Sequence, residues 1–462
     1  MSDSCPKPDI PKPVADVLTR SLTFLGSDLH TYPVARAWQE LRREVTDTRR
    51  STPSSAVVDV VVVLQTWGTR LLNCATLLPL SLCDDRDDRT GIAPIPLKRI
   101  FVPASSAAVL ARAPEPTASP VETLDAISRR LVSDLHAPNP RIFWSDLLAS
   151  GMIGWAAFGV ALLSAPWSPL MLVAGAVSGF ALYRGLCFTH ELTHLRKRVV
   201  PGFETAWNVL FGVPLLLPSF TYMGVHQLHH GLTTYGTKAD PEYLPFASSR
   251  KLILIFALQS AVLVPLLLFL RFVVIAPVGL LWPRFHRWLE VHASSFSMNP
   301  DYRRVMQPSM VQRMRRWEIA MLACFVSVFA LMYAGVLPGR TLYVWFGVLT
   351  FVSFFNTLRV LGAHEYETDG TPRDRHEQLE DSIDTPGAFW TELWAPIGLR
   401  YHALHHFFPG IPYHNLGIAY RRIVAAVPQD SLFLQSTSPS LGRSLSELLR
   451  KARAAGGRMV GW

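Results

Sequence analysis

Fifteen histidines occur in the 462 residues, and eight of them fall into three tight groups. These read His190-Glu191-Leu192-Thr193-His194, His226-Gln227-Leu228-His229-His230 and His402-Ala403-Leu404-His405-His406. Offsets of three and four residues share one face of a helix, with neighbouring Cβ atoms about 5–6 Å apart, so each group can aim two or three imidazoles at one point. Imidazole is a ligand for iron, copper, nickel or zinc. The first group also matches H-E-x-x-H, the zinc peptidase signature, which calls for a glutamate base and a single further ligand. That reading leaves the six histidines of the other two groups unexplained. Two metals, each with four or more histidines, fit the count better. Neutral ligands leave the metals' charge uncompensated, which suits redox-active metals that bind dioxygen. Beside a membrane, the expected chemistry is oxidation of an unactivated C–H bond in a lipid chain.

Stepping outward from the histidines, the composition is 49% hydrophobic and 17% charged, which argues against disorder and against an ordinary soluble enzyme. The net charge of +9 comes from arginines that flank apolar runs rather than form one basic tract, which favours a membrane surface over nucleic acid. Residues 143–163 and 170–189 are each long enough to cross a hydrocarbon core of about 30 Å. Arg196, Lys197 and Arg198 follow, and such clusters stay in the cytoplasm, so the first two spans form a hairpin with both ends inside. Residues 207–220 are apolar but contain Pro214 and Pro218, and read as an interfacial or re-entrant piece. Residues 251–282 are broken by Pro265, Arg271 and Pro277, and the following 283–316 carries seven arginines and two acids. Residues 317–337 and 341–361 make a second hairpin. If 251–282 crossed once, the third histidine group would face away from the first two. That segment is therefore expected to enter and return, or to lie at the interface. The expectation is an all-α integral membrane protein with four transmembrane helices in two hairpins, two re-entrant or interfacial apolar segments, and a cytosolic helical cap that carries the histidines.

Residues 1–141 read as a cytosolic head of unknown role, with a proline-rich linker near 111–121 and a buried helix pair within 56–82. Its first 14 residues hold four prolines and two lysines and do not read as a secretory signal. The membrane domain is expected over 142–425 and a cytosolic tail over 426–462. Five cysteines without short ligand spacings make neither a disulfide framework nor a cysteine zinc site. No G-x-G-x-x-G, haem-attachment pair or ferredoxin cysteine pattern occurs, so electrons must come from a separate protein.

The three groups, in order, spacing and membrane placement, resemble the histidine boxes of the membrane fatty acid desaturase family. YGTKADPEYLPFA (235–247), TLRVLGAHEY (357–366) and GLRYHALHHFFPGIPYHNL (398–416) are most similar to its bacterial acyl desaturase branch. The resemblance covers about residues 137–425. It implies two irons held by His190, His194, His226, His229, His230, His402, His405 and His406, with one more histidine after the last span. His364 is the candidate, and His376 and His414 are alternatives. Some relatives place an asparagine one turn before that histidine; here the position is Val360, and Asn356 is the nearest asparagine. Glu191, Asp240 and Glu242 are candidates to accept N–H bonds from the ligating imidazoles. Further implied are dioxygen as co-substrate and a fatty acyl lipid, acyl-CoA or acyl-carrier substrate in an apolar tunnel, with no nucleic acid. A ferredoxin, or a cytochrome with its reductase, would donate the electrons. Desaturation to a cis alkene leads, with hydroxylation, triple-bond formation, or oxidation of a sphingolipid or carotenoid on the same scaffold as alternatives. The expected place is a bacterial inner membrane, with the site on the cytoplasmic face.

Overall fold

A computed structural model describes residues 126–457, apart from 127 and 197. The expected helix pair within 56–82, the linker near 111–121 and most of the head lie outside the described residues. Among the described residues the chain is helical, with three isolated β-bridges and no strand.

Helix α1 (Pro140–Leu163) starts where Asn139 accepts from the Arg141 N–H, with Pro140 at the first turn. Helix α2 (Pro169–His194) starts the same way, on the Ser168 hydroxyl and Pro169. The short link between them forces an antiparallel hairpin, in which a Cβ on Gly154 would meet Leu182 at 2.6 Å. After α3 (Phe203–Trp207) comes a π-helical turn, Asn208–Gly212. The chain then returns, because Asn208 bonds both the Ser219 hydroxyl and the Ser219 N–H at 2.9 Å. The outward end of this loop is held by the indoles of Trp155, on Leu210 O, and Trp345, on Pro214 O. The segment expected to be interfacial or re-entrant, 207–220, thus folds back on itself.

The second group of histidines forms α4 (His226–His229). Next comes α5, a 32-residue helix over Arg250–Leu281. Among the described residues five helices, one more than the four crossings expected, are long and apolar enough to cross a membrane, and α5 runs on without turning back. Pro265 and Pro277 would break a regular helix by clashing with the preceding turn. Each instead follows a wider π-helical turn, Gln259–Leu263 or Leu270–Ile275, which makes room for the ring.

Helix α6 (Pro283–His292) leads to a segment that folds back onto the histidine side. There Phe296 N bonds Thr221 O, Met298 N bonds Pro241 O, and Arg304 reaches Phe220 O and Met223 O. Helices α7 (Pro308–Tyr333) and α8 (Thr341–Leu361) form the second long hairpin. The remaining short helices are α9 (Arg375–Asp381), α10 (Thr391–Trp394), α11 (His402–Phe407), α12 (Tyr413–Val424), α13 (Leu432–Gln435) and α14 (Leu441–Ala454). Of these, α9, α11, α12 and α13 pack around a core that includes Val132, Leu404, Ile423 and Phe433, and α14 packs on a separate cluster with Tyr243 and Phe246.

Candidate metal centre

The positions of the imidazoles follow from the helices that carry them. His190 and His194 end α2, His226 and His229 lie on α4 with His230 just after it, and His402, His405 and His406 lie on α11. His364 stands three residues beyond α8. The structure brings all nine together as two adjoining groups. His190, His194, His226, His230 and His405 form one; His229, His364, His402 and His406 form the other. Within each group one nitrogen per ring lies within 4.8 Å of the rest. The rings of His230 and His406, one from each group, are 4.2 Å apart between centroids.

Helix geometry explains the partition. At about 100° per residue, positions i and i+4 point within about 40° of each other, while i+3 diverges to the other side. The i, i+4 pairs 190/194, 226/230 and 402/406 each stay in one group. The i+3 members His229 and His405 cross to the opposite group.

The nitrogens fit metal ions. Nε2 of His226 lies 3.0 Å from Nε2 of His230, which is 3.1 Å from Nε2 of His405, and Nε2 of His364 lies 2.9 Å from Nε2 of His402. One imidazole nitrogen carries either a hydrogen or a lone pair, so His230 Nε2 cannot satisfy both neighbours. Among the described residues, both nitrogens of His190 and Nε2 of His194 and His406 are buried without a hydrogen-bond partner. Burying such groups unpaired costs about 1–3 kcal/mol each, and a cation at each centre would remove that cost. Burial holds the imidazoles of His226, His230, His364, His402, His405 and His406 well below their ordinary pKa, in the neutral form that offers a lone pair. His229 is the exception: burial is the largest single influence and opposes its charge, but the Asp240, Glu242 and Asp381 carboxylates together raise it above its ordinary pKa.

Two of the three expected carboxylates hold imidazoles. Asp240 Oδ2 lies 3.0 Å from His229 Nδ1, and Glu242 Oε1 lies 3.0 Å from His226 Nδ1. Glu242 also accepts from the Tyr222 hydroxyl at 2.5 Å, and burial pushes its carboxyl up to about 7. Glu191 behaves differently. It stays 3.5 Å from His190 Nδ1 and accepts the Tyr413 N–H at 3.0 Å, tying α2 to the start of α12. His414 accepts from the Asn139 N–H and His376 stacks edgewise on Phe407, so neither joins the two groups.

Sequence reasoning missed a further set. The Tyr235 hydroxyl lies 2.9 Å from His364 Nδ1 and donates to Asp381 at 2.8 Å. Ser382 Oγ lies 3.2 Å from the same nitrogen, and Gln378 approaches His406 Nδ1 at 3.4 Å. Tyr235 opens a stretch the sequence had already singled out; Asp381 and Gln378 sit in a polar helix that carries no such signal.

A cavity of about 170 Å³ lies between α2, α5 and α8, and His190 forms part of its wall. Leu186, Phe256, Val264, Val352 and Leu399 give it a mostly apolar surface.

A family profile described as fatty acid desaturase matches residues 165–438. The chain is also similar to a protein of Caulobacter vibrioides named ceramide hydroxylase. The two are 40% identical over 329 residues, which is 70% of this chain and 92% of that protein.

Proposed function

This chain belongs to the fatty acid desaturase family, and from that premise we propose that it is an oxygen-dependent, di-iron hydroxylase of a ceramide-like amide lipid. Family and relative together make it a membrane lipid oxidoreductase of the desaturase or hydroxylase type. The similarity to a ceramide hydroxylase over nearly that protein's whole length carries the choice of reaction and substrate. Two irons at the two histidine groups would supply the activation of dioxygen. Hydroxylation consumes one O2, two electrons and two protons; one oxygen enters the C–H bond and the other leaves as water. Burial holds most of the imidazoles neutral, and Asp240, Glu242 and Tyr235 aim the rings of His229, His226 and His364. The mostly apolar cavity would present a lipid chain to His190.

Desaturation is the second reading, favoured by the description of the matching family. It uses the same O2, electrons and protons, and yields an alkene and two waters. Mass spectrometry of lipids from cells given heavy dioxygen separates the two. Hydroxylation places the label in the lipid, and a label-free alkene would overturn it in favour of desaturation. Loss of either product in His405→Ala ties the reaction to the metal groups.

The membrane arrangement is part of the proposal. Both flanks of α5 pack on the histidine side: Ser248 O accepts from Gly457 before it, and residues 293–304 bond the 220–241 loop after it. This supports an oblique α5 with no net crossing, and two crossing hairpins. Arg196, Arg198 and the arginines of 283–316 favour a cytoplasmic histidine side under the positive-inside rule, and our reading puts the protein in a bacterial inner membrane. A separate ferredoxin or cytochrome would reduce the irons from that basic face.

A further inference from the structure

The wall of the cavity at His190 is not uniformly apolar. Arg359, in the last turn of α8, lines it with Asn356 and Ser353, and Ser260 of α5 lines it too. Other arginines on the long helices hold carboxylates: Arg184 bonds Asp146 at 2.8 Å, Arg271 bonds Glu318 at 2.7 Å and Arg313 bonds Glu204 at 2.7 Å. Arg359 differs. Its Nε and Nη2 donate to Asn356 Oδ1 at 3.3 and 3.2 Å, the Tyr183 and Tyr222 hydroxyls and the Glu242 carboxyl share the cavity wall with it, and among the described residues it makes no ion pair within 4.0 Å. The hydroxyls of Ser260 and Ser353 likewise have no hydrogen-bond partner among the described residues. A charge held at membrane depth is costly unless something pairs with it, so an unpaired one marks a ligand or substrate contact. A guanidinium presents a rigid fork of N–H donors suited to oxygen acceptors.

The placement of these groups also bears on which carbon reacts. The stretch of α8 on the cavity runs from Val352 to Val360, about 12 Å at the helical rise of 1.5 Å per residue. Arg359 lies at the end of that stretch nearer His364, and His190 is in the same cavity wall. A tunnel built to present the middle of a long chain would be apolar for many carbons on both sides of the reacting one. Here donors begin close to the metal groups.

We propose that Arg359, oriented by Asn356, is the receptor for the substrate's head group. Its free N–H groups donate to the amide carbonyl oxygen, the Ser260 and Ser353 hydroxyls pair with the head group's hydroxyls, and oxidation therefore falls near the head rather than in mid-chain. This rests on the lipid-oxidase reading above.

The test is binding of radiolabelled short-chain N-acyl sphingosine to the purified full-length protein in nanodiscs. A fatty acid and an alkane of matched length serve as comparison ligands. Arg359→Leu is expected to weaken binding of the amide lipid at least tenfold. Arg359→Lys keeps part of the affinity, and Asn356→Ala loses several-fold. Alkane binding and iron content stay unchanged in all of them, which separates a receptor from a merely structural role. Equal binding of the amide lipid by wild type and Arg359→Leu would overturn the proposal, as would Arg359-dependent binding of the fatty acid alone. Should Arg359→Leu fail to fold, Arg359→Lys and Asn356→Ala carry the comparison. Arg359-dependent binding without any oxidised product would instead remove the proposed reaction and leave the receptor standing.

Discussion

Asp240 and Glu242 fix the rings of His229 and His226 through their Nδ1 atoms. Loss of such a partner costs 10–100-fold in metal affinity or activity in comparable sites. Asp240→Asn and Glu242→Gln are therefore expected to lose iron to a chelator at 10–100-fold lower concentration than wild type. Glu191→Gln should change that concentration far less, because Glu191 receives a backbone N–H rather than an imidazole; a chelator titration of the three variants checks the order. The histidines themselves were legible in the sequence, since i, i+3, i+4 spacing is a local property of a helix. Their sorting into five and four was not, because it depends on how α4 and α11 are turned against each other. Tyr235, Asp381 and Gln378 were invisible for the same reason: 129 residues separate Tyr235 from His364, and tertiary packing alone brings them together.

At the scale of elements, buried charge ties the long helices together. Glu318 of α7 accepts from Arg271 of α5 at 2.7 Å and lies 3.0 Å from His286 of α6, all three deeply buried. Glu318→Ala strands a guanidinium, and removal of one member of such a pair costs about 3–5 kcal/mol. A markedly lower thermal midpoint is expected for Glu318→Ala than for wild type, with Glu318→Gln in between. Close approach matters as much for α2. A Cβ on Gly185 would meet the buried Phe211 ring at 1.9 Å, so Gly185→Ala should destabilise by about 1–3 kcal/mol, read as the same midpoint shift. The two hairpins were legible from apolar length and the links between them. The continuity of α5 was not, because prolines read as breaks unless π-helical turns accommodate them, and no residue pattern announces those turns.

For the whole molecule, the proposed membrane arrangement puts the nine grouped histidines on one face. In a background without the five native cysteines, single cysteines at Ser249, Ser295 and Ser440 should be labelled in inverted membrane vesicles, and cysteines at Ser164 and Gly339 in intact cells. Labelling of Ser249 and Ser295 from different sides would make α5 a fifth crossing. Parity of the apolar runs leads to the same proposal from the sequence, because a joint site needs its parts on one side of a membrane. The most direct test of the account is the metal content of the purified full-length protein. Two irons per chain are expected in wild type, one per histidine group. One iron is expected when His402 and His406 are both replaced by alanine, which empties the four-histidine group and spares the other. A wild type that binds a single metal, or a double variant that still binds two, would contradict it.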